Sequence, residues 1–276
     1  MAKVRLCAFA DEASPSLEGQ ILALKRNNIS LLEIRGVNGK NIKDLSYDEA
    51  YEAKKMLDTA GIGVWSIGSP VGKADTDKDW DTQVAAFKKL CDFARIFGAK
   101  KIRMFSFFSK DWDKVKERLL ELASLTPEGI TLCHENEKGI YGDTVECCER
   151  LQRELPAIRS VFDPANLVQC GQDTKVAWQT LNPYVDYLHI KDALPSGQVV
   201  PAGEGIGNLE YIIDGYIKIG GEVLTLEPHL TEFCGLKDLE NGESMGSEPR
   251  YKDENEAFDA GVFALKQLLN KMGVEY

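Results

Sequence analysis

Short apolar runs and amphipathic stretches alternate along the whole chain. Eight of the runs have the length and apolar character of buried parallel strands. They cover residues 4–9, 31–34, 63–67, 101–105, 130–134, 160–162, 187–190 and 223–226. The stretches between them repeat apolar positions with helical spacing. They predict helices over residues 17–26, 50–59, 80–97, 112–123, 143–154, 174–181, 208–219 and 254–272.

Start and stop signals support these helices. Ser14-Pro15 places a capping residue and a proline before the first helix. Ser46 and Glu49 have the spacing of a capping box, in which each side chain bonds the backbone of the other residue. Gly61 and Gly98 follow the second and third helices, as is common at helix ends. The alternation is therefore one of strands and helices.

Eight strand–helix units in 276 residues give about 34 residues per unit, which suits a parallel βα repeat. Such units form either a closed barrel or an open doubly wound sheet. The count of eight and the recurring polar strand ends favour the barrel. No G-x-G-x-x-G follows the first strand, which weakens a dinucleotide-binding alternative. We predict a single-domain (β/α)8 TIM barrel over residues 1–276. A long polar loop, residues 231–253, follows its eighth strand as a lid, an interface arm or a mobile surface segment.

Composition excludes several classes of partner. The formal net charge of −11 argues against nucleic acid or an anionic membrane as a partner. No run approaches the roughly 20 apolar residues of a membrane helix. The chain does not start like a signal peptide. Its seven cysteines include no C-x-x-C pair, so we expect reduced thiols and a cytoplasmic location.

Polar side chains end four consecutive apolar runs in the second half of the chain. Such groups are costly at the ends of buried strands unless they bind something. If they point inward, three carboxylates and one imidazole converge: Glu135, Asp163, His189 and Glu227. Without a cation, the carboxylates would raise one another's pKa values. An oxygen-rich set with one nitrogen suits Mn²⁺ or Mg²⁺, with Co²⁺ or Zn²⁺ possible.

Five motifs, in order and spacing, carry a resemblance to a known family. They are Leu132-Cys133-His134-Glu135-Asn136-Glu137, Phe162-Asp163-Pro164-Ala165-Asn166, Leu188-His189-Ile190-Lys191-Asp192, Pro201-Ala202-Gly203-Glu204-Gly205 and Leu226-Glu227-Pro228-His229. The chain resembles, over nearly its whole length, the sugar phosphate isomerase/epimerase superfamily with its xylose-isomerase-like barrel. The resemblance implies that Glu135, Asp163, His189 and Glu227 hold a metal ion.

The resemblance also implies a reaction. In the ketose 3-epimerases of this superfamily, the first and last of these glutamates transfer protons. Glu135 and Glu227 would then lie on opposite faces of a bound sugar, one removing the proton α to the carbonyl and the other returning it. The metal would stabilise the enediolate. We therefore expect an isomerase or epimerase of a small ketose or keto-sugar. No glycine-rich phosphate loop with a following lysine is seen, which favours an unphosphorylated substrate.

The expected substrate contacts depart from the epimerase pattern at two places. Asn166 stands where those enzymes usually carry a histidine, and residues 193–197 lack the usual arginine. His229 and Glu137 are candidates to replace these functions.

Two further polar residues are candidates either for a substrate contact or for an ion pair within the protein. Glu33, at the end of the second strand, is expected to bind sugar hydroxyls or to pair with Arg35 or Arg103. Lys191 is expected to contact a substrate oxygen or to form a salt bridge with Asp192 or Glu204.

Three other functions stay open. A lyase on the same scaffold, such as an inosose dehydratase or a subunit that cleaves a 3-keto-glycoside, would start with the same proton abstraction. A DNA-repair endonuclease of the endonuclease IV type needs many more than the three histidines present. A non-catalytic sugar-binding barrel would have lost its metal ligands, whereas all four are retained. The expected partners are a small sugar and, in a homo-oligomer, further copies of the chain.

Overall fold

A closed barrel of eight parallel strands forms the centre of the protein, as the computed structural model of residues 3–233 and 251–276 shows. In chain order, β1 to β8 are Arg5–Ala8, Leu31–Ile34, Gly63–Gly68, Lys101–Met104, Thr131–Glu135, Ile158–Phe162, Val185–Ile190 and Val223–Leu226. Each strand pairs with its neighbours in sequence, and β1 closes the barrel by pairing with β8, Cys7 lying opposite Thr225. The predicted TIM barrel is confirmed.

Nine α-helices lie in the described part of the chain. They are α1 to α9: Leu17–Arg26, Tyr47–Ala60, Trp80–Phe97, Trp112–Leu125, Val145–Glu154, Pro164–Gln169, Thr174–Leu181, Leu209–Lys218 and Glu254–Met272. Eight of them match the predicted helices to within a few residues. The short α6 was not predicted, because its six residues are too few to show a helical period. Two small antiparallel ladders follow β2 and β7 at the carboxyl end of the barrel. They pair Gly36–Val37 with Lys40–Asn41 and Asp192–Ala193 with Val199–Val200.

Local chemistry explains the helix boundaries. At the start of α2, Ser46 Oγ accepts a hydrogen bond from the Glu49 amide, and the Glu49 carboxylate accepts one from the Ser46 amide. This is the predicted capping box. The same helix ends at Gly61, whose φ of +72° is a conformation that glycine adopts without strain.

The barrel interior is unusually polar towards the carboxyl ends of the strands. Arg103 and Tyr187 are among the largest fully buried side chains. The Tyr187 side chain extends across the interior, and its hydroxyl forms hydrogen bonds with Glu33 and Ser66. Apolar side chains fill the layer between the barrel and the helices. The polar interior continues into the carboxyl end of the barrel, where TIM-barrel enzymes carry their active sites.

The long loop predicted after β8 lies mostly outside the described residues, since residues 234–250 are not described. None of the described helices is long and apolar enough to cross a membrane. Within the described chain, six cysteines are free.

Candidate active site

Four side chains converge where β5 to β8 end. Glu135 is the last residue of β5, Asp163 and Glu227 directly follow β6 and β8, and His189 lies near the end of β7. Each offers one ligand atom, and these atoms all lie within 4.8 Å of one another. All four residues are at most 3% exposed. The four candidate ligands therefore form one compact, buried cluster.

Asp163 has two separate roles in this cluster. Its Oδ1 accepts a 3.0 Å hydrogen bond from the Asn166 amide and so caps α6, while Pro164 takes the first helical position. Its Oδ2 accepts no hydrogen bond and lies 3.0 Å from Lys191 Nζ. Asn136 bonds both the amide and the carbonyl of Asp163, which ties the ends of β5 and β6 together.

His189 presents its two ring nitrogens to different partners. Nδ1 lies 3.0 Å from Glu135 Oε1 and 3.6 Å from Glu227 Oε2. Nε2 lies 3.2 Å from Glu33 Oε2, deeper in the barrel. Burial opposes the charged ring, but Glu135 and Glu33 together raise the pKa of His189 to about 10.

An arginine holds each of the two glutamates. Arg103 Nε lies 3.0 Å from Glu135 Oε2, and Arg35 Nη1 donates a 2.8 Å hydrogen bond to Glu227 Oε1. The other oxygen of each carboxylate faces His189. Burial by itself would raise both pKa values. His189 and Arg103 nevertheless lower the pKa of Glu135, and a cationic surrounding that includes Lys191 and Arg35 lowers the pKa of Glu227. Both glutamates are therefore fixed, ionised groups.

The buried side chains in and around the cluster include more acidic than basic groups, even when a protonated His189 is counted. Three Lys or Arg residues are buried in the described chain: Arg35, Arg103 and Lys191. Eight carboxylates are buried there: Asp11, Glu12, Glu33, Glu135, Glu137, Asp163, Asp192 and Glu227. Burial, with Glu227 and Glu135 nearby, raises the pKa of Asp163 to about 7. Burial, with Glu227 and Asp11 nearby, raises the pKa of Glu12 to about 8. Such pKa values indicate a site that lacks positive charge.

These residues fit a divalent cation. Three carboxylates and one imidazole nitrogen form a donor set that Mn²⁺, Mg²⁺ and Zn²⁺ accept, and the surplus of buried carboxylates is the charge that such an ion neutralises. Asp163 Oδ2 is buried, and its contact with Lys191 Nζ is an ion pair without hydrogen-bond geometry, which makes it a natural ligand atom.

The residues that were expected to contact substrate have different partners in the structure. Asn166 is buried and donates to Glu135 Oε1 and to the Asn136 carbonyl. Lys191 pairs with Asp163 and Glu227, at 3.0 and 3.1 Å, rather than with its neighbours along the chain. Glu137 pairs with Lys73 at 3.1 Å.

His229 is held in a strained conformation beside Glu227. Its φ of +45° is uncommon for a residue with a side chain. Its amide donates a 2.7 Å hydrogen bond to Glu12, its ring stacks on Phe233, and its Nε2 lies 3.5 Å from Glu227 Oε1. Backbone strain at a buried polar residue is typical of a functional site.

Sequence reasoning missed the two arginines as partners of the glutamates. Arg35 also pairs with Asp11 and Glu12, neither of which was a candidate. The available signal was the charge itself, because Arg103 lies inside an apolar strand run and Arg35 directly follows one. A charged residue in such a run is seldom buried without a partner.

Comparison with known proteins identifies the fold family. A sequence model described as the xylose isomerase-like TIM barrel matches residues 23–269. The chain belongs to this family. No curated protein matches the sequence.

Solved structures with the same fold cover almost the whole chain. The IOLI protein with a bound zinc atom has 16% identity and a TM-score of 0.75, over 98% of this chain and 99% of that one. An L-ribulose 3-epimerase has 17% identity and a TM-score of 0.75, over 99% and 96%. The probable 3-DHS dehydratase AsbF from Bacillus anthracis has 16% identity and a TM-score of 0.72, over 95% and 98%. At these identities the likeness concerns the fold.

Proposed function

We propose that this protein is a metal-dependent isomerase or epimerase of a small ketose or keto-sugar. The observation that carries the proposal is the cluster of Glu135, Asp163, His189 and Glu227 at the carboxyl end of the barrel. The family and an epimerase among the structural neighbours support it. Mn²⁺ or Mg²⁺ is the favoured ion, with Co²⁺ or Zn²⁺ as alternatives, and the structural neighbour with a bound zinc atom supports a bound metal.

The two glutamates provide the proton transfers. They approach the cluster from different sides, because β6 and β7 separate β5 from β8 in the barrel. One carboxylate removes the proton α to the substrate carbonyl, and the C–H electrons move into the carbonyl group. The other glutamate, which takes up a proton before the step, donates that proton to the same carbon from the opposite face, which inverts the carbon. A cation bound by the four ligands would supply Lewis-acid stabilisation of the enediolate.

The surrounding residues prepare these carboxylates. Arg103 and Arg35 hold the carboxyl groups of Glu135 and Glu227 in fixed orientations, and their charge favours the ionised form of the glutamate that acts as the base. Lys191 and His229 touch Glu227, and Glu137 lies next to the same end of β5. We assign these last three residues to binding of the substrate oxygens, and Asn166 to holding Glu135 in place.

A lyase is the second candidate, because of Lys191. Its ammonium group lies 3.1 Å from Glu227 Oε2, next to the proposed base. A cationic donor in that position would protonate a hydroxyl that leaves from the carbon β to the carbonyl. The first step, removal of the α-proton, is the same in both reactions.

Solvent exchange tests the proposal and separates the two reactions. Metal-loaded protein is incubated with ketoses and keto-sugars in D₂O, and products are followed by NMR and mass spectrometry. Deuterium at the α-carbon without loss of water or of another group indicates isomerisation or epimerisation, and net loss of water indicates elimination. Glu227→Gln should abolish both, whereas Glu210→Gln, a change of an exposed carboxylate on α8, should have no effect. Wild-type turnover in Glu227→Gln would refute the assignment.

A further inference from the structure

Glu33 lies inside the barrel rather than at its mouth. It belongs to β2, Leu31–Ile34, and is 0% exposed. Its Oε1 accepts a 2.8 Å hydrogen bond from the Tyr187 hydroxyl, and its Oε2 lies 3.2 Å from His189 Nε2. Both oxygens are therefore engaged by buried protein groups, which leaves neither facing a sugar.

The contact to His189 is on the far side of the ring from the candidate ligands. Nδ1 faces Glu135 and Glu227, and Nε2 faces Glu33. A histidine that binds a metal through one nitrogen commonly donates its other N–H to a carboxylate, which fixes both the tautomer and the orientation of the ring.

Glu33 is itself held rigidly. The Tyr187 hydroxyl donates a hydrogen bond to Glu33 Oε1 and lies 3.2 Å from Ser66 Oγ. Tyr187 belongs to β7 and Ser66 to β3. Arg103 Nε lies 3.9 Å from the same carboxylate oxygen. The imidazole plane is also fixed by Phe9, whose ring meets the His189 ring edge to face at 5.1 Å. These contacts leave the imidazole one orientation, with Nδ1 towards the cluster.

We propose that Glu33 is a positioning residue that accepts the Nε2–H of His189 and so aims Nδ1 at the metal ion, an inference that rests on the proposed function. The chain Tyr187–Glu33–His189 spans the barrel interior from β7 to β2 and back. Glu33 acts only through His189 and does not touch the substrate.

Metal affinity of the isosteric variant Glu33→Gln tests this role. Zn²⁺ affinity is measured by competition with a chromophoric chelator, and the visible spectrum of the Co²⁺ form reports the ligand geometry. We expect Glu33→Gln to weaken Zn²⁺ binding by about 10- to 100-fold and to change the Co²⁺ spectrum. Tyr216→Phe is the matched control, because it removes a buried hydroxyl that donates to the Asp186 carbonyl and has no part in the Tyr187–Glu33–His189 chain. It should lose stability and keep its affinity within about threefold of wild type.

Imidazole ¹⁵N spectra of the Zn²⁺ form provide a second measurement, since the chain has only three histidines to assign. The His189 Nε2–H resonance should be present in wild type and Tyr216→Phe and should shift in Glu33→Gln. Wild-type affinity and an unchanged Co²⁺ spectrum in Glu33→Gln would overturn the inference, as would an equal loss of affinity in Tyr216→Phe. If the wild-type protein binds no divalent ion, the proposed function fails first, and this inference fails with it.

Discussion

The Asp192 carboxylate organises the loop that follows β7. Its Oδ1 accepts hydrogen bonds from the amides of Ala193 and Gly207, and its Oδ2 accepts from those of Gly203 and Gly205. The distances are 2.8–3.1 Å, and Asp192 is 1% exposed. A Cβ at Gly205 would lie 2.2 Å from Asp192 Oδ1, so the loop wraps closely around the carboxylate. The anchor directly follows Lys191, which pairs with two of the candidate ligands.

Asp192→Asn keeps the shape of this side chain and removes half of its acceptors. An asparagine carbonyl can still accept two of the four bonds, but its NH₂ group then faces two amide donors. Each hydrogen bond to a buried charged group stabilises a protein by about 1.5–3 kcal/mol. We therefore expect a loss of about 3–6 kcal/mol in the free energy of unfolding. This is a large part of the roughly 5–15 kcal/mol that stabilises a typical protein.

Urea unfolding at pH 7, followed by fluorescence and circular dichroism, measures the effect. Asp173→Asn is the control: Asp173 caps α7 through the amides of Lys175 and Val176, and asparagine caps helices equally well. The control should change stability by less than about 0.5 kcal/mol. A loss below about 1 kcal/mol in Asp192→Asn would show that the loop amides do not depend on this carboxylate.

Three further predictions concern the cation, the arginines and pH. Chelation with EDTA should lower the thermal midpoint by about 5–10 °C, because an ion at a hundred times its Kd adds about 2.7 kcal/mol; an unchanged midpoint in calorimetry would contradict the metal site. Arg103→Met should cost the metal-free protein about 3–5 kcal/mol in urea unfolding, because it leaves Glu135 buried without its cation; a loss under about 1 kcal/mol would contradict that role. Hydrogen bonds from Lys116 and Trp112 lower the pKa of Glu154 to about 2, so its contribution to stability is present above the ordinary glutamate pKa and lost as pH falls towards 2. The urea midpoint of Glu154→Gln should therefore fall less than that of wild type between pH 5 and pH 3, and equal slopes would count against this contribution.

The sequence by itself determined the elements and their order. Apolar runs of strand length, separated by capped amphipathic segments, predicted all eight barrel strands and eight of the nine helices in the described chain. It also marked Glu135, Asp163, His189 and Glu227, since parallel strands that end in polar groups bring those groups to one end of a barrel. The strand and helix predictions succeed because they depend on local periodicity and on the direction of the chain, which a sequence displays directly.

Only the tertiary structure decided which polar groups meet. Arg35 and Glu227 are 192 positions apart, and Glu33 and His189 are 156 apart. The period of two along a strand places a side chain inside the barrel, but it does not say which distant strand supplies its partner or on which side of a ring that partner lies. Lys191 illustrates this: the sequence suggests its acidic neighbours, whereas the closed barrel brings Asp163 and Glu227 nearer. The pairing of buried charges follows from barrel closure, because closure removes water and leaves each charge only the partners across the interior.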